Sequence, residues 1–454
     1  MPPARPEDIR PPWSRSDRAV PRVIVRPLQE FLRSSTASAL PMLVAVAVAL
    51  VWVNSPWWRS YEQVWLTPVV LRLGRWAIVE DLRFWVDEGL MTLFFLLAGL
   101  EIKRELATGD LRDRRLLIGP GLGAIGGMLV PALVFLAITH GTAASEGWGM
   151  AMPTDLAFAL AILVLASRAL PAGVRPFLLT LAIVDDLLTV AVVGLFYAGV
   201  LSAGWLLLGA LLVGVMIALE RAHVRHLLPY VVLGLLTWFC AYEGGVHPAL
   251  VGALLGLFAP AYPFNSPAAV GAAARRIVDE TPQEPASPDA DAGSWLELAR
   301  LSNEAVSPLA RAEHALLPWV NLFALPLFAL ANAGVRLSGG WWSGRTEQLL
   351  ILGLLTARLA GKAIGIVGAG LVAKRWRLAR LPEGMSLGMM VAVGVAAGAP
   401  FTVSLFVASG AYPQGSTLLA AARVGVLLSL AVCGVLAAVL FRAQSPDEES
   451  PEDP

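Results

Sequence analysis

Apolar residues in this chain gather into twelve stretches separated by short polar breaks. They fall at about 38–54, 88–102, 115–139, 149–167, 176–198, 203–220, 227–242, 246–260, 315–335, 347–372, 385–409 and 416–441. Runs of this length and density predict membrane-crossing helices, and so an all-α polytopic membrane protein of about twelve transmembrane helices. Several stretches fall short of the roughly 20 residues that a full crossing needs. The 246–260 stretch is the shortest and reads as tilted or half-buried. Residues 57–85 do not read as a span: Arg59, Arg72, Arg75, Glu80 and Asp81 are scattered through them, with Pro68 and Gly74 as breakers. The runs VWLT and WAIV there have strand-like composition, so the segment reads either as an external hairpin or as an irregular loop. The long polar stretch 261–314, with PQEPASPDADAGS inside it, reads as a flexible loop.

Composition agrees with this pattern. The 454 residues are 57% hydrophobic and only 15% charged, where a soluble domain carries about a quarter charged residues. The formal net charge is zero, which offers nothing to nucleic acid. The zero conceals an asymmetry: 25 of the 34 Lys and Arg residues fall on the side of the N-terminus, six on the other side and three inside apolar stretches. By the positive-inside rule both termini are expected in the cytoplasm. Residues 1–37 carry seven Arg with no apolar core and cleavage site after them, and read as a cytoplasmic tail and not a signal peptide. The end of the chain, 443–454, is acidic and Pro-rich and reads as disordered. Cys240 and Cys433 lie in apolar stretches and read as packing residues, not as a disulfide framework.

Candidate chemistry sits where charge interrupts this background. Between Met152 and Tyr197 two apolar stretches hold three carboxylates, Asp155 near the start of the first and the adjacent Asp185 and Asp186 mid-way along the second. An ionised carboxylate in a bilayer interior costs at least a few kcal/mol unless paired or hydrated, so the three point to an ion or proton site. Neighbours on a helix project about 100° apart. One of the Asp185–Asp186 pair can therefore meet a counter-cation while the other faces a cavity, and their protonation is coupled. Carboxylate oxygens that exchange protons are also hard ligands suited to Na+ or Li+, and competition of the two ions for one site is the minimal chemistry of an antiporter. Lys362, in the middle of the 347–372 stretch, is the natural counter-charge. The plainer reading is that it snorkels to the interface. Arg358, one turn earlier, either joins the network or reaches the outer surface.

Two interruptions match. Ala-Met-Pro-Thr-Asp at 151–155 breaks one span, and Gly-Ala-Pro-Phe-Thr at 398–402 breaks another. Each lies in a possible three-helix unit, 115–198 and 347–441, and the two units enter the membrane from opposite sides. That is the pattern of inverted repeats with crossing discontinuous helices; two unrelated Pro kinks are the alternative. At the N-terminal side of the membrane Glu101 and Glu105 flank Lys103 and Arg104, with His247 and Glu313 near the polar loop. These charges read either as a pH-responsive cluster or as a solvated interfacial face, and Asp87–Glu88 carries the same two readings.

The stretches DEGLMTLFFLLAGLEIKREL (87–106), TDLAFAL (154–160), LAIVDDL (181–187), GVHPALVGALLG (245–256), EHALLPWVNLFALPLFALANAGV (313–335), RLAGKAIGI (358–366) and LPEGMSLG (381–388) together resemble the NhaA-type sodium/proton antiporters over about residues 38–440. The resemblance implies a transporter and not an enzyme, without a cofactor, that exports Na+ or Li+ against external protons. Exchange would be electrogenic, two protons for one cation, and pH-regulated. It implies Asp186 as the principal cation ligand and proton carrier, with Asp185 beside it paired to Lys362, and Thr154 and Asp155 at the crossing of the broken helices. Glu101, His247 and Glu313 fall at positions linked to pH response. The 57–85 stretch falls where the family has an external β-hairpin supporting a homodimer, and the expected location is a bacterial cytoplasmic membrane. The chain departs from the family pattern at Pro153, at Pro400-Phe401-Thr402 in place of Gly-Phe-Thr, and at Asp87–Glu88 in place of Asn-Asp. An intramembrane aspartyl protease would need a Gly-x-Gly-Asp context, which is absent; a Na+-coupled symporter of an organic anion differs in requiring a co-substrate.

Overall fold

The computed structural model describes residues 39–73, 76–109, 114–166, 171, 173–222, 224, 226–281, 292–378 and 385–444. The tail expected at 1–37 lies outside them, and so does the acidic tail beyond Gln444. Helix α1, Ala39–Val53, is followed by the short helix α2, Trp58–Trp65, after a bend of 118°. Strands β1, Pro68–Leu73, and β2, Trp76–Asp81, then form an antiparallel hairpin with Val70 opposite Val79. WAIV is therefore strand, but VWLT is not. Val64 and Trp65 close α2 because Tyr61 and Trp65, one turn apart, bury the same face, and the strand begins only at Pro68.

The remaining membrane helices are α3, Met91–Ala107; α4, Arg114–Thr139; α5, Leu156–Ala166; α6, Val174–Phe196; α7, Ala203–Arg221; α8, Leu227–Glu243; and α9, Ala249–Leu257. After the helices α10, Pro267–Glu280, and α11, Ala292–Glu304, come α12, Pro308–Trp319, and α13, Leu325–Asn332, joined by a π-helical turn. Then follow α14, Arg345–Thr356; α15, Lys362–Arg375; α16, Leu387–Ala397; α17, Thr402–Ala411; and α18, Thr417–Gln444. Among the described residues six helices are long and apolar enough to cross a membrane, and nine crossings result if each of three bent pairs counts as one. The other expected spans are the shorter helices α3, α8 and α9. Of the 246–260 stretch only nine residues are helical.

Helices dominate because a chain in hydrocarbon must satisfy its own amides. Their starts are marked locally. Ser266, Ser307 and Ser386 accept the amides of Ala269, Ala310 and Met389 at 3.2, 3.1 and 3.0 Å, as N-caps do, and Pro267 and Pro308 occupy the first turn, where no amide donor is missed. Two of these caps lie inside 261–314, and the described parts of that stretch, 261–281 and 292–314, are mostly helical where a loop is expected. It holds α10 and α11 packed together and the first turns of α12; of PQEPASPDADAGS, residues 282–291 lie outside the described part. Likewise α18 runs on to Gln444, past the expected boundary at 443.

The expected three-helix units are α4, the broken segment 143–166 and α6, against α14–α15, the broken segment 387–411 and α18. The breaks bend by 56° and 49°. Helices α4 and α15 pack backbone to backbone at Gly126 and Gly365. A Cβ on Gly365 would stand 2.1 Å from the Gly126 carbonyl oxygen, and the reverse contact would be 2.3 Å. Small residues let helices approach where lipid gives no hydrophobic drive to associate. Gly365→Ala should therefore cost about 1–3 kcal/mol, because the obstacle is backbone that cannot rotate away. Gly368→Ala on the same helix meets nothing within 4 Å and should be neutral. Thermal unfolding of the two variants in detergent checks this.

Candidate functional site

The first break begins where the 3-10 helix Ala143–Ala151 ends, and Pro153, Thr154 and Asp155 have no regular secondary structure. Pro153 has no amide hydrogen and cannot continue the helical ladder. The second break, Gly398–Phe401, holds Pro400 and separates α16 from α17. Gly398 is needed there for close approach: a Cβ would stand 2.4 Å from the carbonyl oxygen of Arg358.

The two breaks meet through Asp155. Its Oδ2 accepts the backbone amide of Thr402 at 3.1 Å and the Thr402 hydroxyl at 2.7 Å, while Oδ1 takes the Phe158 amide at a long 3.5 Å. One carboxylate thus stands at the N-terminal ends of two half-helices, α5 and α17, where unpaired amides and the helix dipole favour negative charge. Thr154 beside it is buried, and its hydroxyl has no hydrogen-bond partner among the described residues.

The C-terminal end of the 3-10 helix receives the opposite charge. Lys362 is fully buried, so it does not snorkel; its Nζ donates to the Met152 carbonyl and to Asp185 Oδ2, the latter at 2.9 Å. Arg358 is also fully buried, on the π-helical turn Ala357–Gly361 just before α15. Its guanidinium donates to the carbonyls of Pro153 and Met150 and to the Ser404 hydroxyl. Arg358 therefore joins the buried network and does not reach the outer surface.

Asp185 and Asp186 diverge as neighbours on a helix must. Asp185 is fully buried against Lys362, with Oδ1 unpartnered among the described residues. Asp186 turns instead to a small cavity lined by Phe94, Phe95, Ala98, Thr189, Val190 and Val403. Thr189, one turn beyond Asp186, brings to that lining a buried hydroxyl with no hydrogen-bond partner among the described residues. Thr189, Thr402 and Ser404 were not singled out as site residues. Thr189 could have been found by stepping one turn from the Asp pair, and Thr402 as the hydroxyl next to the second break; Ser404 carries no sequence signal. Among the described residues no three His, Cys, Asp or Glu side chains converge as a metal cage.

The residues assigned to pH response do not form one cluster. Arg104 pairs with Glu313 and lies 3.7 Å from Glu105, and Glu101 is within electrostatic reach of all three. His247 is elsewhere. Its Nδ1 is 2.7 Å from Glu88 Oε1, and Glu88 Oε2 accepts the Ala249 amide at 2.9 Å. Glu101 lies thirteen positions beyond Glu88 on continuous helix, a rise of about 20 Å, so His247 sits at the opposite end of α3. The reading of Asp87 and Glu88 as a solvated face also fails. Both are buried, and Asp87 accepts from Asn332, whose own oxygen lies 3.4 Å from Arg423. The π-helical turn Trp85–Leu90 places the adjacent acids against different helices.

Residues 29–441 match the family described as Na+/H+ antiporter 1. The chain is 39% identical over 429 residues to Na(+)/H(+) antiporter NhaA 2 of Sorangium cellulosum (strain So ce56), covering 94% of this chain and 91% of that protein. It is 39% identical over 447 residues to Na(+)/H(+) antiporter NhaA of Anaeromyxobacter sp. (strain Fw109-5), covering 97% and 96%. With Na(+)/H(+) antiporter NhaA of Janthinobacterium sp. (strain Marseille) the identity is 37% over 413 residues, covering 90% and 91%.

Proposed function

This chain belongs to the Na+/H+ antiporter 1 family, and from that premise we propose that Asp186 is the group at which Na+ or Li+ and protons compete. The protein is a multi-pass membrane sodium/proton antiporter. The observation that carries the site assignment is the division of the adjacent carboxylates, Asp185 bonded to Lys362 and Asp186 turned to the cavity. A carboxylate with no cationic partner can bind either a proton or a small hard cation, but not both. Thr189 in the same lining and the neighbouring Asp185 and Asp155 supply further oxygens, the unpartnered Thr154 hydroxyl beside Asp155 is a further candidate ligand, and Lys362 compensates charge while the site is empty. The hard oxygen donors suit Na+ and Li+, and no covalent step or cofactor enters the cycle.

Loading follows from this competition. Where protons are scarce Asp186 releases its proton and takes the cation; where they are abundant the proton displaces it. The exchange is electrogenic and exports the cation from a bacterial cytoplasm, with both chain termini inside. Glu101 and Glu313 at one end of α3 and His247 at the other are placed to bias it with pH. The protein acts as a homodimer, for which the outer edges of the β1–β2 hairpin offer unpaired backbone groups to a second copy.

The test uses everted membrane vesicles with a preset acid interior. Addition of Na+ or Li+ alone should dissipate the gradient. Failure to do so at any pH from mildly acid to alkaline would overturn antiport, and dissipation that requires an organic anion would assign symport instead.

A further inference from the structure

The first break exposes three carbonyls, those of Met150, Met152 and Pro153, to side chains of the span that carries Arg358 and Lys362. The two cations divide them. Lys362 takes Met152 and spends its other contact on Asp185. Arg358 takes Met150 and Pro153, and reaches across to Ser404 on α17. Ser404 in turn donates to the same Met150 carbonyl at 3.0 Å. The guanidinium therefore ties the 3-10 helix and the non-helical link of the first unit to the half-helix of the second. It does so immediately before Thr154 and Asp155.

We propose that Arg358 is a positioning residue for ion exchange, which holds the first break against α17 and supplies a fixed positive charge facing Asp155 and Asp185. This deepens the exchange reading above and rests on it. The chemistry of the two cations differs in the way this task needs. A guanidinium stays charged at every pH a cell meets and presents a rigid fork that matches two acceptors at once. An ammonium is a single point with three donors. With Arg358 on the break, Lys362 can leave Asp185 during the cycle without the break losing its capping. The titratable and charged groups facing Arg358 are Asp155 beside the first break, Asp185 on α6, Lys362 on α15 and Cys433 on α18.

The proposal separates charge from geometry, and so do its variants. Arg358→Lys keeps the charge but loses the fork. It should leave the pH profile of exchange where it is and raise the KM for Na+ and Li+ about tenfold, the size of loss seen when a group supporting ion ligands is removed. Arg358→Gln loses both. It should raise the KM and also shift the acid limb of the profile to alkaline pH by about half a unit or more, because a missing fixed positive charge lets the carboxylates hold protons longer. Both are measured in everted vesicles beside Asp186→Asn. Parental KM and profile in folded Arg358→Gln overturn the inference. Should that variant fail to reach the membrane, a parental KM in Arg358→Lys overturns it as well. Exchange that survives in Asp186→Asn overturns the exchange reading itself; a silent Asp186→Asn beside a parental Arg358→Gln removes only the inference.

Discussion

Asp186→Asn is expected to abolish Na+- and Li+-driven proton release while the protein folds and inserts as the parent does. Asn is nearly the same size and still offers one oxygen, but it cannot ionise, so it neither carries a proton nor attracts a cation. Exchange should fall by about a hundredfold or more, because both halves of the cycle depend on the same ionisable group. Stability should hold or rise, since an unpaired carboxylate in an apolar cavity opposes folding and an amide there costs less. The neighbouring substitution Asp185→Asn acts differently, because it leaves the buried ammonium of Lys362 with neutral acceptors and no anionic partner. Proton release on Na+ addition, measured together with the melting temperature in detergent, separates the two. Undiminished exchange in Asp186→Asn would falsify the assignment of the ion site.

Lys362→Ala has the second largest expected effect, and it falls on stability first. The Lys362–Asp185 pair is fully buried at 2.9 Å. Removing one partner of such a pair costs about 3–5 kcal/mol, most of it the penalty of leaving the other charge unpaired. The Met152 carbonyl loses its side-chain donor in the same substitution. A fall of about 5 °C or more in melting temperature is expected, with exchange reduced about tenfold or more. The combination Asp185→Asn with Lys362→Ala should recover part of that stability, because no orphaned charge remains. If the double variant is less stable than Lys362→Ala alone, the cost lies in the lost packing of the lysine stem and not in the pair.

Much of this architecture is legible in the residues. A bilayer admits few solutions for an apolar run, so the helical class and nearly every span could be written from the hydrophobic stretches alone. The two Pro-containing interruptions announced the breaks, since Pro153 and Pro400 each remove a backbone donor. The adjacent aspartates announced divergent roles, because helical geometry separates neighbours. Other readings failed where local chemistry outweighed composition. The polar stretch 261–314 holds two helices because Ser266 and Ser307 cap helical starts. Asp87 and Glu88 looked solvated, yet Asn332, His247 and the Ala249 amide pair with them from distant parts of the chain. VWLT has strand composition but ends a helix, because its aromatic and its neighbour Tyr61 pack one turn apart.

The site divides along the same line. That charges lie at membrane depth, that they include three carboxylates and two cations, and that two breaks accompany them follows from the order of residues, because hydrocarbon penalises each exception individually. Which cation meets which carboxylate does not follow. Lys362 and Asp185 are 177 positions apart, and Arg358 and Ser404 meet only because α14–α15 and α17 converge on the first break. Pairing across such distances depends on helix rotation and on backbone approach at glycines such as Gly126, Gly365 and Gly398. A π-helical turn at Ala357–Gly361 changes that rotation by one residue. Apolar patterning says that a helix is buried; it does not say which way its few polar residues turn once it packs.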